Sequence, residues 1–117
     1  MVQRLAFIGY PVEDMARARK FYEEVIGLKV ETEFGESFIE YALGEGVTFT
    51  LGKMDGWNPS DNGSYAALEV EDYDAAMEKL RANDVKFEME TQDFPNCRMS
   101  IIYDTEGNKI MIHKLKS

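Results

Sequence analysis

The chain has 117 residues and a formal charge of −9, from 13 Lys and Arg against 22 Asp and Glu. That length fits one domain, and 44% hydrophobic with 30% charged residues fits a folded globular protein rather than a disordered one. The acidic balance disfavours phosphate backbones and anionic lipid, so neither nucleic acid nor a membrane surface is expected as a partner. One cysteine, Cys97, excludes an intrachain disulfide and fits a reducing compartment.

At the N-terminus, Leu5 to Ile8 is too short an apolar run for a signal-peptide core or a membrane span, and a cytoplasmic location is expected. Arg4 to Tyr10 reads as a first strand. From Asp14 to Gly27 the sequence reads as a helix, with Asp14 as its N-cap and Gly27 as its left-handed exit. Met15, Ala18, Phe21, Tyr22, Val25 and Ile26 recur at helical spacing and require a core on one side. Three further strands are expected at Leu28 to Phe34, Phe38 to Leu43 and Val47 to Leu51, each rich in β-branched and aromatic residues.

Residues 53–63 are polar, contain Gly, Pro and Asn, and lack periodicity, which marks a connection. Trp57 is its one large apolar residue, to be read either as packing over the edge of the fold or as a lid over a pocket. Beyond it the order repeats. Tyr65 to Val70 reads as a strand, and a helix opens at Asp72 with Tyr73, Ala76, Met77 and Leu80 as its stripe and Asn83 as its end. Strands follow at Val85 to Thr91, Arg98 to Tyr103 and Lys109 to His113. Val12-Glu13-Asp14 corresponds to Val70-Glu71-Asp72, and Glu45-Gly46 to Glu106-Gly107, predicting the same tight turn before the last strand of each half. The fold class is therefore α+β. Two tandem βαβββ modules are expected, about 1–52 and about 64–117, within one domain.

The phrases VEDMARARKFYEEVIGL, YAALEVEDYDAAMEKL and YDTEGNKIMIHKL, with the Gly46 turn between the first two, resemble the vicinal oxygen chelate superfamily. That group holds glyoxalase I, bleomycin resistance proteins and extradiol dioxygenases. The resemblance implies that the paired modules curve their sheets into an open cup with the helices outside. It also implies metal ligands on the first and last strand of each module in metal-dependent members, since a divalent ion needs several donors at about 2.1 Å. The corresponding positions here are Phe7, Thr50, Tyr65 and Met111, none of which is His, Gln, Glu or Asp. No metal and no other cofactor is therefore expected, a divalent metal being the alternative.

Alternation along the strands places Leu5, Phe7, Gly9, Thr48, Thr50, Tyr65, Ala67, Glu69, Lys109, Met111 and His113 on the ligand side. Ile8, Val47, Phe49, Leu51, Ala66, Leu68, Val70, Ile110 and Ile112 fall beneath the helices. The candidate ligand-binding set is Phe7, Thr48, Thr50, Tyr65, Glu69, Lys109, Met111 and His113, apolar walls with sparse polar groups. Glu69 and His113 are the candidate catalytic bases. His113, the only histidine, is alternatively a half-exposed strand-end residue, and Glu69 either carries a raised pKa or pairs with Lys109. Cys97 beside Arg98 is a weak nucleophile candidate. Tyr41, Tyr65 and Tyr103 offer rings and hydroxyls to planar ligands, with packing as the plainer role, and the methionines fill core gaps or line a varied pocket. No Gly-rich phosphate loop is present.

Two functions follow from the resemblance. One is metal-free binding of a small, partly aromatic organic molecule, as in bleomycin-resistance-type sequestration. The other is an enzyme, a glyoxalase-like lyase or isomerase or a dioxygenase with an unrecognised metal, or a metal-free one using Glu69 or His113. A homodimer is expected, as is common in the family.

Overall fold

The computed structural model describes residues 1–116. The chain divides into two compact units, Met1–Pro59 and Ser60–Ser117, each built from one helix-bearing βαβββ module. In the first, strands β1 (Phe7–Pro11), β2 (Lys29–Phe34), β3 (Phe38–Gly44) and β4 (Val47–Gly52) form one sheet in the order β1-β4-β3-β2. In the second, β5 (Ala66–Glu69), β6 (Phe87–Asp93), β7 (Cys97–Tyr103) and β8 (Lys109–Leu115) form the order β5-β8-β7-β6. In each, the first strand pairs in parallel with the last and the other pairs are antiparallel. The α+β class and the tandem βαβββ order expected from the repeat are both present. Among the described residues no helix is long and apolar enough to cross a membrane.

The repeated Val-Glu-Asp has a structural basis in both halves. The Val12 amide donates to Gly52 and the Val70 amide to His113, each at 2.9 Å, so the parallel pair is extended by one bond before the chain leaves the sheet. Two residues on, Asp14 accepts from the Arg17 amide and Asp72 from the Ala75 amide, each at 3.0 Å. Such a cap contributes about 1 kcal/mol by satisfying an amide that helix geometry leaves free.

The first helix departs from the uniform α-helix expected over 14–27. Helix α1 spans Met15–Lys20 and then widens into a π-helical stretch, Phe21–Ile26. The Gly27 amide reaches back five residues to Tyr22 at 3.0 Å, and Gly27 exits with φ of 90°. Helix α2 spans Tyr73–Ala82 and closes at Asn83 as expected, with the left-handed residue one place later at Asp84 (φ 55°).

Both cores lie between the helix and one face of the sheet. In the first, Tyr22 packs against Phe49 (ring centroids 5.1 Å) and Tyr41 (6.5 Å), and Tyr10 against Phe49 (5.0 Å). In the second the core is largely aliphatic, with Leu80, Ile102, Ile110 and Ile112 all buried. Phe49, Leu51, Ala66, Ile110 and Ile112 are buried as the alternation requires, and Ile8, Val47, Leu68 and Val70 are partly buried.

The two turns before β4 and β8 are not the same, contrary to the match between Glu45-Gly46 and Glu106-Gly107. Glu45 (φ 55°) and Gly46 (φ 77°) form a two-residue connection with both residues left-handed, the geometry that suits a hairpin's twist. In the second module's turn only Gly107 is left-handed. There the buried Asp104 carboxylate accepts from the Glu106 and Asn108 amides at 2.8 and 2.9 Å, holding a longer turn.

Candidate functional site

Each sheet has a face turned away from its own helix, and the strand register fixes what stands on it. In the first module Phe7 lies beside Thr48, Gly9 beside Thr50, Glu40 opposite Thr50 and Phe38 opposite Gly52. A bulge between Val30 and Thr32 shifts β2 so that Thr32 meets Glu40 and Phe34 meets Phe38. Phe7, Phe34, Phe38, Glu40 and Thr50 consequently line one hollow of about 240 Å³. The rings of Phe7 and Phe34 are more than half exposed. Thr50 is buried, and its hydroxyl has no hydrogen-bond partner.

Trp57 lies across the same face. A methyl group at Gly9 would come within 3.1 Å of Trp57 Cη2, and one at Gly52 within 2.5 Å of Trp57 Cζ3 and 2.7 Å of Phe38 Cε1. Glycine is required at Gly52 because two rings rest on its backbone. The Trp57 amide donates to the Met54 carbonyl at 3.1 Å, which ties the indole's own segment into a short bridge. The structure thus places Trp57 as packing over the sheet, next to Phe38.

In the second module Ala67 lies beside Met111, Glu69 beside His113, Ile101 opposite Met111 and Met99 opposite His113. The polar residues here are engaged with one another. Glu69 Oε1 is 2.6 Å from His113 Nδ1, and Glu69 Oε2 accepts from the Leu115 amide at 2.7 Å. That amide bond and then the imidazole hold the Glu69 carboxyl below the usual carboxylate range. Both expectations for Glu69 are corrected: its pKa is lowered rather than raised, and its partner is His113 rather than Lys109. The register explains why. Lys109 stands four residues before His113 on β8, about 13 Å along the strand, where it pairs with Glu88 at 3.7 Å instead.

His113 is not at the strand end, because β8 continues to Leu115, and its side chain is 24% exposed. Tyr65 precedes β5 and is partly exposed. Two tyrosines offered as ligand contacts are occupied. Tyr41 is fully buried on the helix side, where its hydroxyl donates to Glu23 at 2.8 Å. The Tyr103 hydroxyl donates to Glu88, with Lys86 Nζ 4.8 Å from its ring centre. Cys97 is a free, partly buried thiol at the start of β7.

Of the eight ligand-binding candidates, the structure brings Phe7 and Thr50 into one hollow with Thr48 alongside Phe7, and joins Glu69 to His113. Lys109 belongs to a separate ion pair, and Met111 lies among Ala67 and Ile101. Phe34, Phe38 and Glu40 were missed. Alternation along Phe38 to Leu43 carried the signal: with Ile39 and Tyr41 claimed by the core, Phe38 and Glu40 must face the other way. Phe34 depended on the bulge, which leaves no mark in the sequence.

These geometries meet a defined set of relatives. Residues 4–112 match the model of the Glyoxalase/Bleomycin resistance protein/Dioxygenase superfamily, and the chain belongs to that superfamily. Its fold is similar to that of TnmS3, an antibiotic binding protein from Streptomyces sp. CB03234, at 22% identity and TM-score 0.80, with 98% of each chain covered. It is also similar to a glyoxalase/dioxygenase from Nostoc punctiforme, at 18% identity and TM-score 0.84, covering 98% of this chain and 92% of that one. A lactoylglutathione lyase from Agrobacterium tumefaciens matches at 14% identity and TM-score 0.77, covering 97% and 95%. No curated protein matches the chain. A binding protein and a lyase resemble the chain about equally well, so these likenesses establish the fold, and function rests on the side chains.

A divalent metal is the group this superfamily implies for its metal-dependent members, and the residues do not fit one. The positions that the resemblance assigns to such ligands hold Phe7 and Thr50 in the first module, and Tyr65 and Met111 in the second. The neutral Thr50 hydroxyl is a poor donor for a divalent ion beside a carboxylate or imidazole. Among the described residues no three His, Cys, Asp or Glu side chains are grouped to hold an ion.

Proposed function

We propose that this protein binds and sequesters a small, partly aromatic organic molecule without a metal, using the helix-free face of its first module. The observation that carries this reading is the hollow lined by Phe7, Phe34, Phe38, Glu40 and Thr50. Exposed rings around two polar groups combine a hydrophobic driving force with the few directional contacts that orient a ligand. The likeness to an antibiotic binding protein supports sequestration as the activity. The test is a thermal-shift screen with small aromatic molecules, antibiotics among them, since a ligand held only by the native state raises its melting temperature. A hit whose shift disappears in Phe38→Ala supports the reading. Stoichiometric nickel, zinc, iron or manganese in dialysed protein would overturn its metal-free part.

A second reading, a metal-free enzyme, draws on the Glu69–His113 hydrogen bond. In the neutral imidazole with Nδ1–H directed at Glu69, Nε2 carries the lone pair and is oriented as a general base. A turnover assay separates the two: His113→Ala abolishes turnover of any substrate found if His113 is the base, and leaves sequestration intact. We further propose a homodimer, for which light scattering showing only monomer at high concentration counts as the contrary result.

A further inference from the structure

We propose that the first module's hollow is a subsite for an organic cation, specifically the ammonium-bearing end of an aryl or alkyl-aryl ligand. The inference deepens the reading of this hollow as a ligand site and rests on it. Four observations converge. Three phenylalanine rings, from β1, β2 and β3, line a space of about 240 Å³. Ring faces carry the negative part of the aromatic quadrupole and attract cations. Glu40, the one carboxylate of the lining, stands directly opposite Thr50 in the antiparallel register. Among the described residues Glu40 has no Lys, Arg or His in ion-pair contact that would neutralise it. Thr50 lines the same space at 6% exposure, and its buried hydroxyl has no hydrogen-bond partner.

A carboxylate among aromatic rings is complemented by a positive group and opposed by a negative one. An ammonium with an attached apolar body answers these features: its charge to Glu40 and the ring faces, and its body to Phe7, Phe34 and Phe38. Size selects the scale. Drug-sized pockets run from about 300 to 1,000 Å³, so this space takes the charged end of a ligand with one or two rings. The net charge of −9 favours the approach of such a ligand.

The experiment is a pair of NMR titrations with 2-naphthylmethylammonium and its neutral counterpart of nearly the same shape, 2-naphthylmethanol, following the aromatic signals of Phe7, Phe34 and Phe38. The expected result is that the cation binds the wild type about tenfold more tightly and loses that margin as ionic strength rises. Glu40→Gln, which keeps the shape, brings the two probes to equal affinity. Equal affinities in the wild type would overturn the cation inference and leave the small-molecule reading standing. If neither probe moves the three phenylalanine signals, both fall. The salt dependence is read on the wild type and does not depend on how a variant folds.

Discussion

At matched positions the two modules place polar and apolar groups in opposite order. The centre of the helix-free face is Glu40 opposite Thr50 in the first module and Ile101 opposite Met111 in the second. One step along the last strand stands Gly52, covered by Trp57 and Phe38, where the second module has His113 bonded to Glu69. The first module therefore surrounds unpaired polar groups with rings. The second surrounds an apolar centre with groups that have already found partners. A shared strand order dictates neither arrangement. An unpaired polar group inside an apolar rim has binding capacity left over, whereas the closed pairs of the second module have spent most of theirs on one another. For that reason we place the proposed ligand site in the first module.

The largest test of this contrast is at Gly52. In Gly52→Ala the new methyl would meet Trp57 at 2.5 Å and Phe38 at 2.7 Å, so at least one ring must move. Overpacking of this kind costs about 1–3 kcal/mol, and the displaced ring disturbs the hollow. The expected result is a melting temperature lower by several degrees and altered fluorescence of Trp57, the single tryptophan. A variant with wild-type melting and emission would show that the rings do not rest where they are placed, and the contrast at this position would be lost.

The undersides differ as well, and Tyr41→Phe sharpens that difference. Tyr41 on β3 matches Ile102 on β7, since each lies opposite a core residue of the last strand, Phe49 or Ile110. Only the tyrosine carries a polar tip into the core, where it donates to Glu23. Burial alone would raise the Glu23 pKa, but hydrogen bonds from Arg19 and Tyr41 outweigh it and leave the carboxyl below its ordinary value. A depressed carboxyl pKa adds stability above the unfolded-state value, lost as pH falls through the folded one. Tyr41→Phe should cost about 1 kcal/mol near neutrality and raise the Glu23 pKa in a carbon-detected titration. No change in that pKa would mean that Arg19 alone sets it.

Much of this was legible in the residues. The two Val-Glu-Asp segments predicted both helix starts, and period-two alternation sorted Phe49, Leu51, Ile110 and Ile112 into the core. Both signals are local, arising from one cap or one strand. The pairing of Glu69 was not local. It depends on the parallel register of β5 against β8, which puts His113 beside it and Lys109 about four residues away. Phe34 was hidden for a similar reason, since a bulge changes which face a residue takes without changing composition. The matching Glu-Gly pairs misled because the second turn is shaped by Asp104, two residues before the pair.

The smallest expected effect concerns the second module's closed pair. Glu69 accepts from the Leu115 amide and from His113, and these contacts lower its pKa. A lowered carboxyl pKa gives a contribution present above the unfolded value of about 4.3, lost as pH falls through the folded value. Because the Glu69 side chain is 47% exposed, solvent screens the interaction and the contribution is small. Glu69→Gln should lower the melting temperature slightly at pH 7 and make it less sensitive to acid below about pH 5. It should also release the neutral form of His113 from a single tautomer, which nitrogen NMR of the imidazole reads directly: that form carries its proton on Nδ1 in the wild type and is a mixture in the variant. If the wild type already shows that mixture, the carboxylate does not orient the ring. The general-base reading of His113 then loses its geometric support, while the hollow of the first module is unaffected.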